Sequence, residues 1–270
     1  MTIDYWLRTA TSYLQSKSIA TARLDCLVLL EDIAGIDRAK ALAEPATELR
    51  EGAVAMLQKL LNRRAAHEPL AYIRGKAEFY GRQFKVSPAV LVPRPETETM
   101  IELLVTLPRI PLKSRMADIG SGSGALGITA TLEVPGAIVD LVEIDPSAAK
   151  IAKMNVVYHT TSNKVIASDL LSAVSSDYDV LLCNLPYVPD EYPINRAATY
   201  EPRLALFAGA DGLDLYRRLF DQIAKRSKLP LYILCESLPE QHSALLSIAQ
   251  AIGYESLQTQ DFIQVFRKSN

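Results

Sequence analysis

Cysteine is scarce in this chain: three in 270 residues, Cys26, Cys183 and Cys235, far apart and set among apolar neighbours. An odd number at that spacing excludes a disulfide framework or a zinc site and points to buried thiols in a reducing cytoplasm. Histidine is equally scarce. His67, His159 and His242 have no ligand spacing, so no metal is expected. No apolar run approaches the ~18–20 residues that cross a bilayer. The N-terminus, MTIDYWLRTATSY, lacks the basic, apolar, then small pattern of a secretion signal. No strong charge of either sign is present, since the net charge is −2, which excludes a global argument for nucleic acid. Aliphatic residues are not lacking. With 49% hydrophobic residues, the chain is not of the disordered class. Its length suggests about two domains or one large one, at roughly 150 residues each.

The near-zero net charge hides a local excess. Residues 58–94 carry eight bases (Lys59, Arg63, Arg64, Arg74, Lys76, Arg82, Lys85, Arg94) and two acids (Glu68, Glu78), between two acidic segments. The plain reading is a solvated helix end and hairpin. The sharper one is a docking patch for an anionic partner such as RNA or an RNA-bound protein.

Periodicity divides the chain. Ile3, Trp6, Leu7, Ala10 and Leu14 have helical spacing, and Leu24, Leu27, Val28, Leu30, Ile33 and Ala34 form a second face ended by Gly35. A third helix around 51–64 would bury Val54, Met56, Leu57, Leu60 and Leu61, and Pro69 breaks the pattern. Residues 1–75 therefore read as a small helical bundle. Residues 76–93, with turn points Gly75 and Gly81, read as a β-hairpin linker. From 94 to 270 strands and helices alternate, ending in an antiparallel pair. This predicts an α/β domain with an open, mostly parallel sheet and helices on both faces. Ligands of such sheets bind outside the carboxyl ends of the strands.

Two segments carry chemistry. After a short strand comes Asp118-Ile119-Gly120-Ser121-Gly122-Ser123-Gly124-Ala125-Leu126-Gly127. Alternate glycines allow close backbone approach to a ligand, and the following helix presents free N–H groups. From Gly122 the string also fits G-x-G-x-x-G, so a dinucleotide remains formally open. Glu143 ends the next strand, where an acid can bond both hydroxyls of a ribose. Asp145 is the competing candidate, and it can instead cap the helix that starts at Pro146.

The second segment, Asn184-Leu185-Pro186-Tyr187-Val188-Pro189, follows the apolar strand Val180-Leu181-Leu182-Cys183. The plain reading is a proline-rich turn. The chemical reading is that the Asn184 oxygen and an adjacent backbone carbonyl hold the two hydrogens of a planar –NH₂ group. Tyr187 would stack beside it. Methylation of an amide or exocyclic amine needs this, because the nitrogen lone pair is delocalised and must be aimed.

DIGSGSG, VEID, SDL at 168–170 and NLPY together resemble the class I S-adenosylmethionine-dependent methyltransferases of amino groups. Three further stretches resemble the release-factor glutamine methyltransferase family (HemK/PrmC): RLDCLVLLEDIAGI at 23–36, EPLAYIRGKAEFYGRQFKVSPAVLVPRPETE at 68–98 and YEPRLALFAGADGLDLYRRL at 200–219. The resemblance implies a seven-stranded Rossmann-like methyltransferase domain at 94–270, behind a substrate-docking helical domain at 1–75 and the hairpin at 76–93. It implies N5-methylation of the glutamine in the Gly-Gly-Gln motif of peptide chain release factors. The cofactor implied is S-adenosylmethionine, held by Gly120, Ser121, Gly122, Ser123, Gly124, Glu143, Leu170 and Asn184. The substrate amide would be gripped by Asn184, Leu185, Pro186 and Tyr187. Leu185 stands where the family usually has proline, and Glu143 where many members have Asp. The partner implied is the release factor, for a cytoplasmic monomer with no stable nucleic-acid or membrane association. The basic linker and helical domain would dock the body of the factor.

Three other readings are weighed. A methyltransferase of adenine or guanine amino groups in DNA or RNA would use the same loop, but only the basic stretch supports it, and no target-reading motif accompanies it. A nicotinamide dehydrogenase leaves NLPY unexplained. A non-catalytic binding module would treat Leu185 as the mark of a decayed site.

Overall fold

A computed structural model describes residues 1–108 and 110–269. The chain divides into two compact units, Met1–Gly75 with Asn195–Tyr200, and Lys76–Ile194 with Glu201–Asn270.

The first unit holds α1 (Ile3–Ser16), α2 (Ala22–Ala34), α3 (Arg38–Ala43), α4 (Glu51–Ala65) and α5 (Leu70–Arg74). In α1 the buried residues are Ile3, Trp6, Leu7, Ala10 and Leu14, the face that the spacing predicts. In α2 the face differs from expectation. Ala22, Asp25, Cys26, Leu29 and Leu30 are buried, while Leu24 is 58% exposed. An ion pair accounts for the difference: Arg64 of α4 bonds Asp25 at 2.6 Å, and Thr21 donates to the same carboxylate oxygen at 3.0 Å. A buried carboxylate needs such partners, so the helix turns it inward. In α4, Leu57, Leu61 and Ala65 are buried and Met56 is exposed. Pro69 opens a short helix, α5, at a position where its missing N–H costs nothing. The segment Asn195–Tyr200 completes the unit, with Tyr200 Oη donating to the Ala66 carbonyl at 2.8 Å.

The second unit opens with the hairpin β1 (Lys76–Phe79) and β2 (Arg82–Lys85). Its two-residue turn, Tyr80-Gly81, has positive φ at both positions, the geometry that matches strand twist. There follow α6 (Glu98–Thr106), β3 (Arg115–Ile119), α7 (Ala125–Glu133), β4 (Ile138–Glu143), α8 (Pro146–Tyr158), β5 (Val165–Ala167) and β6 (Val180–Cys183). The unit ends with α9 (Asp214–Ala224), β7 (Tyr232–Glu236), α10 (His242–Gln250), β8 (Tyr254–Gln260) and β9 (Ile263–Lys268). Seven strands form one sheet in the order β5-β4-β3-β6-β7-β9-β8. The first five run parallel, and β9 is antiparallel to β7 and to β8. This is the mostly parallel α/β sheet expected from the alternation, with the seven strands that the family resemblance implies.

Both faces of the sheet are covered. Met116, Val180, Leu182 and Leu234 pack with Met100 of α6, Ile128 of α7 and Ala152 of α8. The alternate residues Ala117, Leu181, Cys183 and Ile233 pack with Leu219 and Phe220 of α9 and Leu245 of α10. Burial on both faces is why β6 reads as the unbroken apolar run Val180-Leu181-Leu182-Cys183. Among the described residues no helix is long and apolar enough to cross a membrane, and no cluster suits a metal ion.

The basic stretch at 58–94 is largely neutralised within its own units. Arg63 pairs with Glu68, Arg64 with Asp25, Arg74 with Asp32, Arg82 with Glu133 and Arg94 with Glu201. Paired guanidiniums project little field, so the geometry favours the structural reading of these charges over the docking patch.

Asn155 of α8, fully buried, ties the hairpin to the turn after β3. Its Oδ1 accepts from Lys85 N at 2.8 Å, and its Nδ2 donates to the carbonyls of Lys85 at 2.9 Å and Ser123 at 2.8 Å. Asn155→Leu keeps the bulk and strands these groups, at about 1–3 kcal/mol for each one left unpaired. Urea unfolding should show a lower midpoint at unchanged slope; a midpoint equal to the parent's would refute the assignment.

Candidate active site

One cleft, wholly within the second unit, opens at the carboxyl ends of β3, β4 and β6. Among its lining residues are Gly120, Ser121, Gly122, Ser123, Glu143, Leu170, Asn184, Leu185 and Pro186. Gly124 and Tyr187 do not line it. Nine of the eleven positions singled out in the sequence thus share one cavity, although they lie up to 66 positions apart in sequence.

The glycine turn is held by its own backbone. Gly120, Gly122 and Gly124 all have positive φ, a region that costs a side chain energy. Gly120 N and Ser121 N donate to the Val142 carbonyl at 2.8 and 3.0 Å. Asp118, 2% exposed, accepts from Gly127 N at 2.8 Å and so fixes the start of α7. Burial pushes the Asp118 carboxyl up to about 7, against the pull of the Gly127 bond and with a further push from Glu143. Ser121 Oγ is buried with no hydrogen-bond partner among the described residues.

Glu143 is also nearly buried. Its Oε2 accepts from Gly122 N at 2.8 Å and its Oε1 from Asp145 N at 2.9 Å. The carboxylate is therefore oriented at the end of β4, on the cleft wall. Asp145 Oδ1 accepts from Ser147 N at 2.7 Å and Ala148 N at 2.9 Å, which makes it the cap of α8. That leaves Glu143 as the acid available to a ligand. Leu170 sits in the left-handed region at φ 53°, unusual for a branched side chain, with Leu171 N donating to Gln222 Oε1 at 2.6 Å. Beside it Asp169 is paired with Arg218 at the cleft edge.

Asn184 follows β6. Its Nδ2 donates to Thr97 Oγ1 at 2.9 Å, and its Oδ1 makes no hydrogen bond among the described residues. Leu185 is 2% exposed and packs into the core cluster with Cys183 and Tyr216. It supplies by burial the anchorage that proline would supply by ring closure. Tyr187 departs from the expected stacking wall. Its ring packs against the core cluster, and its hydroxyl donates to Glu236 Oε1 at 3.0 Å. Burial, then Glu236, pushes that phenol well above its ordinary range. A buried hydroxyl needs a partner, and the carboxylate behind the loop provides it.

Several residues that organise the site escape sequence reasoning. Tyr216 of α9, fully buried, places its hydroxyl 2.9 Å from the Cys183 carbonyl and 2.5 Å from the Glu236 carbonyl, so it clips the ends of β6 and β7 together. Gln241 Nε2 donates to the carbonyls of Tyr187 at 2.8 Å and Asp211 at 2.7 Å. At Gly212, φ +76°, a Cβ would come within 2.0 Å of the Tyr187 carbonyl oxygen, so only glycine allows the two loops this approach. Arg94 Nη2 bonds the buried Glu201 at 2.5 Å, linking the stretch at 68–98 to the one at 200–219. All but Gln241 lie in the stretches 68–98 and 200–219, but their roles depend on contacts between segments 20 to 107 positions apart.

The fold and the site can now be set beside known proteins. The PrmC N-terminal domain model matches residues 5–75, and the methyltransferase small domain model matches residues 97–199. The release factor glutamine methyltransferase of Koribacter versatilis is 34% identical over 241 residues, covering 87% of this chain and 86% of its own length. That of Escherichia coli is 31% identical over 264 residues, covering 96% and 94%. Among solved structures, the hMettl16 catalytic domain in complex with MAT2A 3'UTR hairpin 1 aligns over 91% of both chains, with a TM-score of 0.57 and 15% identity. The Thermus thermophilus 16S rRNA N2 G1207 methyltransferase aligns over 72% of this chain and 50% of its own, with a TM-score of 0.53 and 17% identity. Those two likenesses concern the fold alone. By the identity and coverage of its relatives, the chain belongs to the release factor glutamine methyltransferase family.

Proposed function

We propose that this protein methylates the side-chain amide nitrogen of the glutamine in the Gly-Gly-Gln motif of peptide chain release factors, using S-adenosylmethionine. The observation that carries the reading is the shared cleft. Asn184, with its amide oxygen unbonded, faces the same cavity as the glycine turn and the Glu143 carboxylate. The relatives' names supply the substrate class.

The residues present suit the cofactor. Ser121 Oγ is an orphaned buried polar atom beside the glycine turn, fit for the amino-acid end of the ligand. Glu143 suits a ribose diol, and Leu170 and Ile144 offer apolar walls for a flat base. Asp118 suits an ammonium group. When bound, S-adenosylmethionine supplies an electrophilic methyl group on a sulfonium. The chain's own part is orientation. Asn184 Oδ1 and the Leu185 carbonyl would accept the two hydrogens of the substrate amide. Two acceptors raise electron density on a poor nucleophile and restrict its direction. Pro186 limits the loop's freedom. Tyr187, tied to Glu236, holds the loop in place.

The helical unit at 1–75 is assigned to docking the body of the release factor. The enzyme is placed in the cytoplasm, a compartment that suits three free buried thiols. A nucleic-acid substrate gains no support from the basic stretch, whose arginines are paired internally.

Mass spectrometry of the Gly-Gly-Gln peptide after incubation with enzyme and S-adenosylmethionine should show one added methyl on glutamine; its absence, with label in RNA or DNA instead, would replace the reading. Asn184→Ala should lower turnover by on the order of 100-fold while the cofactor Kd stays near wild type. Equal losses in both would remove Asn184 from the substrate side. Because the Asp118 carboxyl titrates at about 7, S-adenosylmethionine should bind more tightly as pH rises through that value and the site gains a negative charge. Calorimetry between pH 6 and 8 should show this slope in the wild type and a flatter one in Asp118→Asn; equal slopes would release Asp118 from the role.

A further inference from the structure

Behind Asn184 lies a chain of polar groups that the reaction itself does not require. Asn184 Nδ2 donates to Thr97 Oγ1 at 2.9 Å. Thr97, 4% exposed, stands just before α6, and its hydroxyl is near enough to the Glu236 carboxyl to lower that group's pKa, without closing a full hydrogen bond. Tyr187 Oη donates to Glu236 Oε1 at 3.0 Å. Glu236 is 1% exposed at the end of β7, and its Oε2 has no hydrogen-bond partner among the described residues. Arg94, a cation that acts on it, has its guanidinium on Glu201, and Glu96 opposes the charge. The Tyr187 hydroxyl is thus the full donor to this carboxylate among the described residues, and the Thr97 hydroxyl is drawn toward its charge.

The direction of the chain follows from the chemistry of its end. A carboxylate only accepts, so the Thr97 proton points toward Glu236. The Thr97 lone pairs then face Asn184, which must present its NH₂ group. The Asn184 oxygen is left for the cleft. A flipped amide would present two hydrogens to the hydrogens of the substrate amide, a repulsive pairing.

Resting on the function proposed above, we infer that Thr97 and Glu236 are positioning residues that set the orientation of the Asn184 amide. Thr97 itself lines the cleft, and the role assigned to both residues runs through Asn184. Tyr187, on the same carboxylate, links the far side of the NLPY loop to the same anchor. The buried Glu236 carboxyl lies at about 6, raised by burial and lowered by the Thr97 and Tyr187 hydroxyls. It is therefore mostly the accepting carboxylate at neutral pH.

The test uses the full chain and a Gly-Gly-Gln peptide. Thr97→Val, equal in shape but without the hydroxyl, should lower kcat on the order of tenfold to a hundredfold, with the S-adenosylmethionine Kd unchanged. Thr97→Ser should recover at least part of that loss. In an Asn184→Ala background, Thr97→Val should cause no further loss beyond about twofold, because the residue acts through the missing amide. A Thr97→Val enzyme with wild-type kcat, or equal losses in both backgrounds, overturns the proposal. Thermal melts separate misfolding from misorientation, since the isosteric variant should melt near the parent. Orientation is also readable without turnover. The Asn184 side-chain amide protons, identified by their loss in Asn184→Ala, should show a nuclear Overhauser contact to Thr97 in the free wild-type protein. Absence of that contact overturns the inference. If the wild type methylates no release factor or peptide, the functional reading fails and the amide contact alone decides the orientation.

Discussion

In-register pairing of parallel strands is the constraint on which the cleft depends. Ile119 of β3 lies opposite Val142 of β4 and Cys183 of β6, and Cys183 lies opposite Cys235 of β7. The next residue on each strand is Gly120, Glu143, Asn184 or Glu236, so all four arrive at one edge of the sheet. A slip of one residue in any pair would exchange a strand's two buried faces, each of which is packed against its own helices. Burial of both faces forbids such a slip, and the same burial places a turn, an acid and an amide side by side.

That edge gathers negative charge, and each acid is managed differently. Asp118 and Glu143 accept backbone N–H groups of the turn and of α7. Glu201 is held by Arg94, and Glu236 by the Tyr187 hydroxyl. Buried carboxylates without such partners would be costly. Their partners come from the glycine turn, the segment before α6 and the NLPY loop, which are the segments that need to be rigid. Satisfaction of the acids and rigidity of the site are one set of bonds.

Local patterning foretold much of this. The helical spacing of α1, the apolar run of β6 and the glycine turn between β3 and α7 depend on residues a few positions apart, and each holds. The face of α2 is shifted in part: Leu30 is buried and Leu27, Ile33 and Ala34 pack against the core, but Leu24 is exposed and Asp25, invisible to apolar periodicity, is buried on Arg64. The charge excess at 58–94 looked like a surface signal. The acids that neutralise it, such as Asp25, Asp32, Glu133 and Glu201, lie mostly outside that stretch.

The sequence by itself determined the alternation of strand and helix, the order of the motifs and the chemical groups available: glycine turn, Glu143, Asn184. These follow from steric preference and period, which act between near neighbours. Only the tertiary structure decided that Asp145 caps a helix while Glu143 faces the cleft, that Tyr187 turns to Glu236, and that Thr97 meets Asn184 across 87 positions. Hydrogen bonds of that range are set by strand register and loop packing, and no local pattern encodes which donor will meet which acceptor.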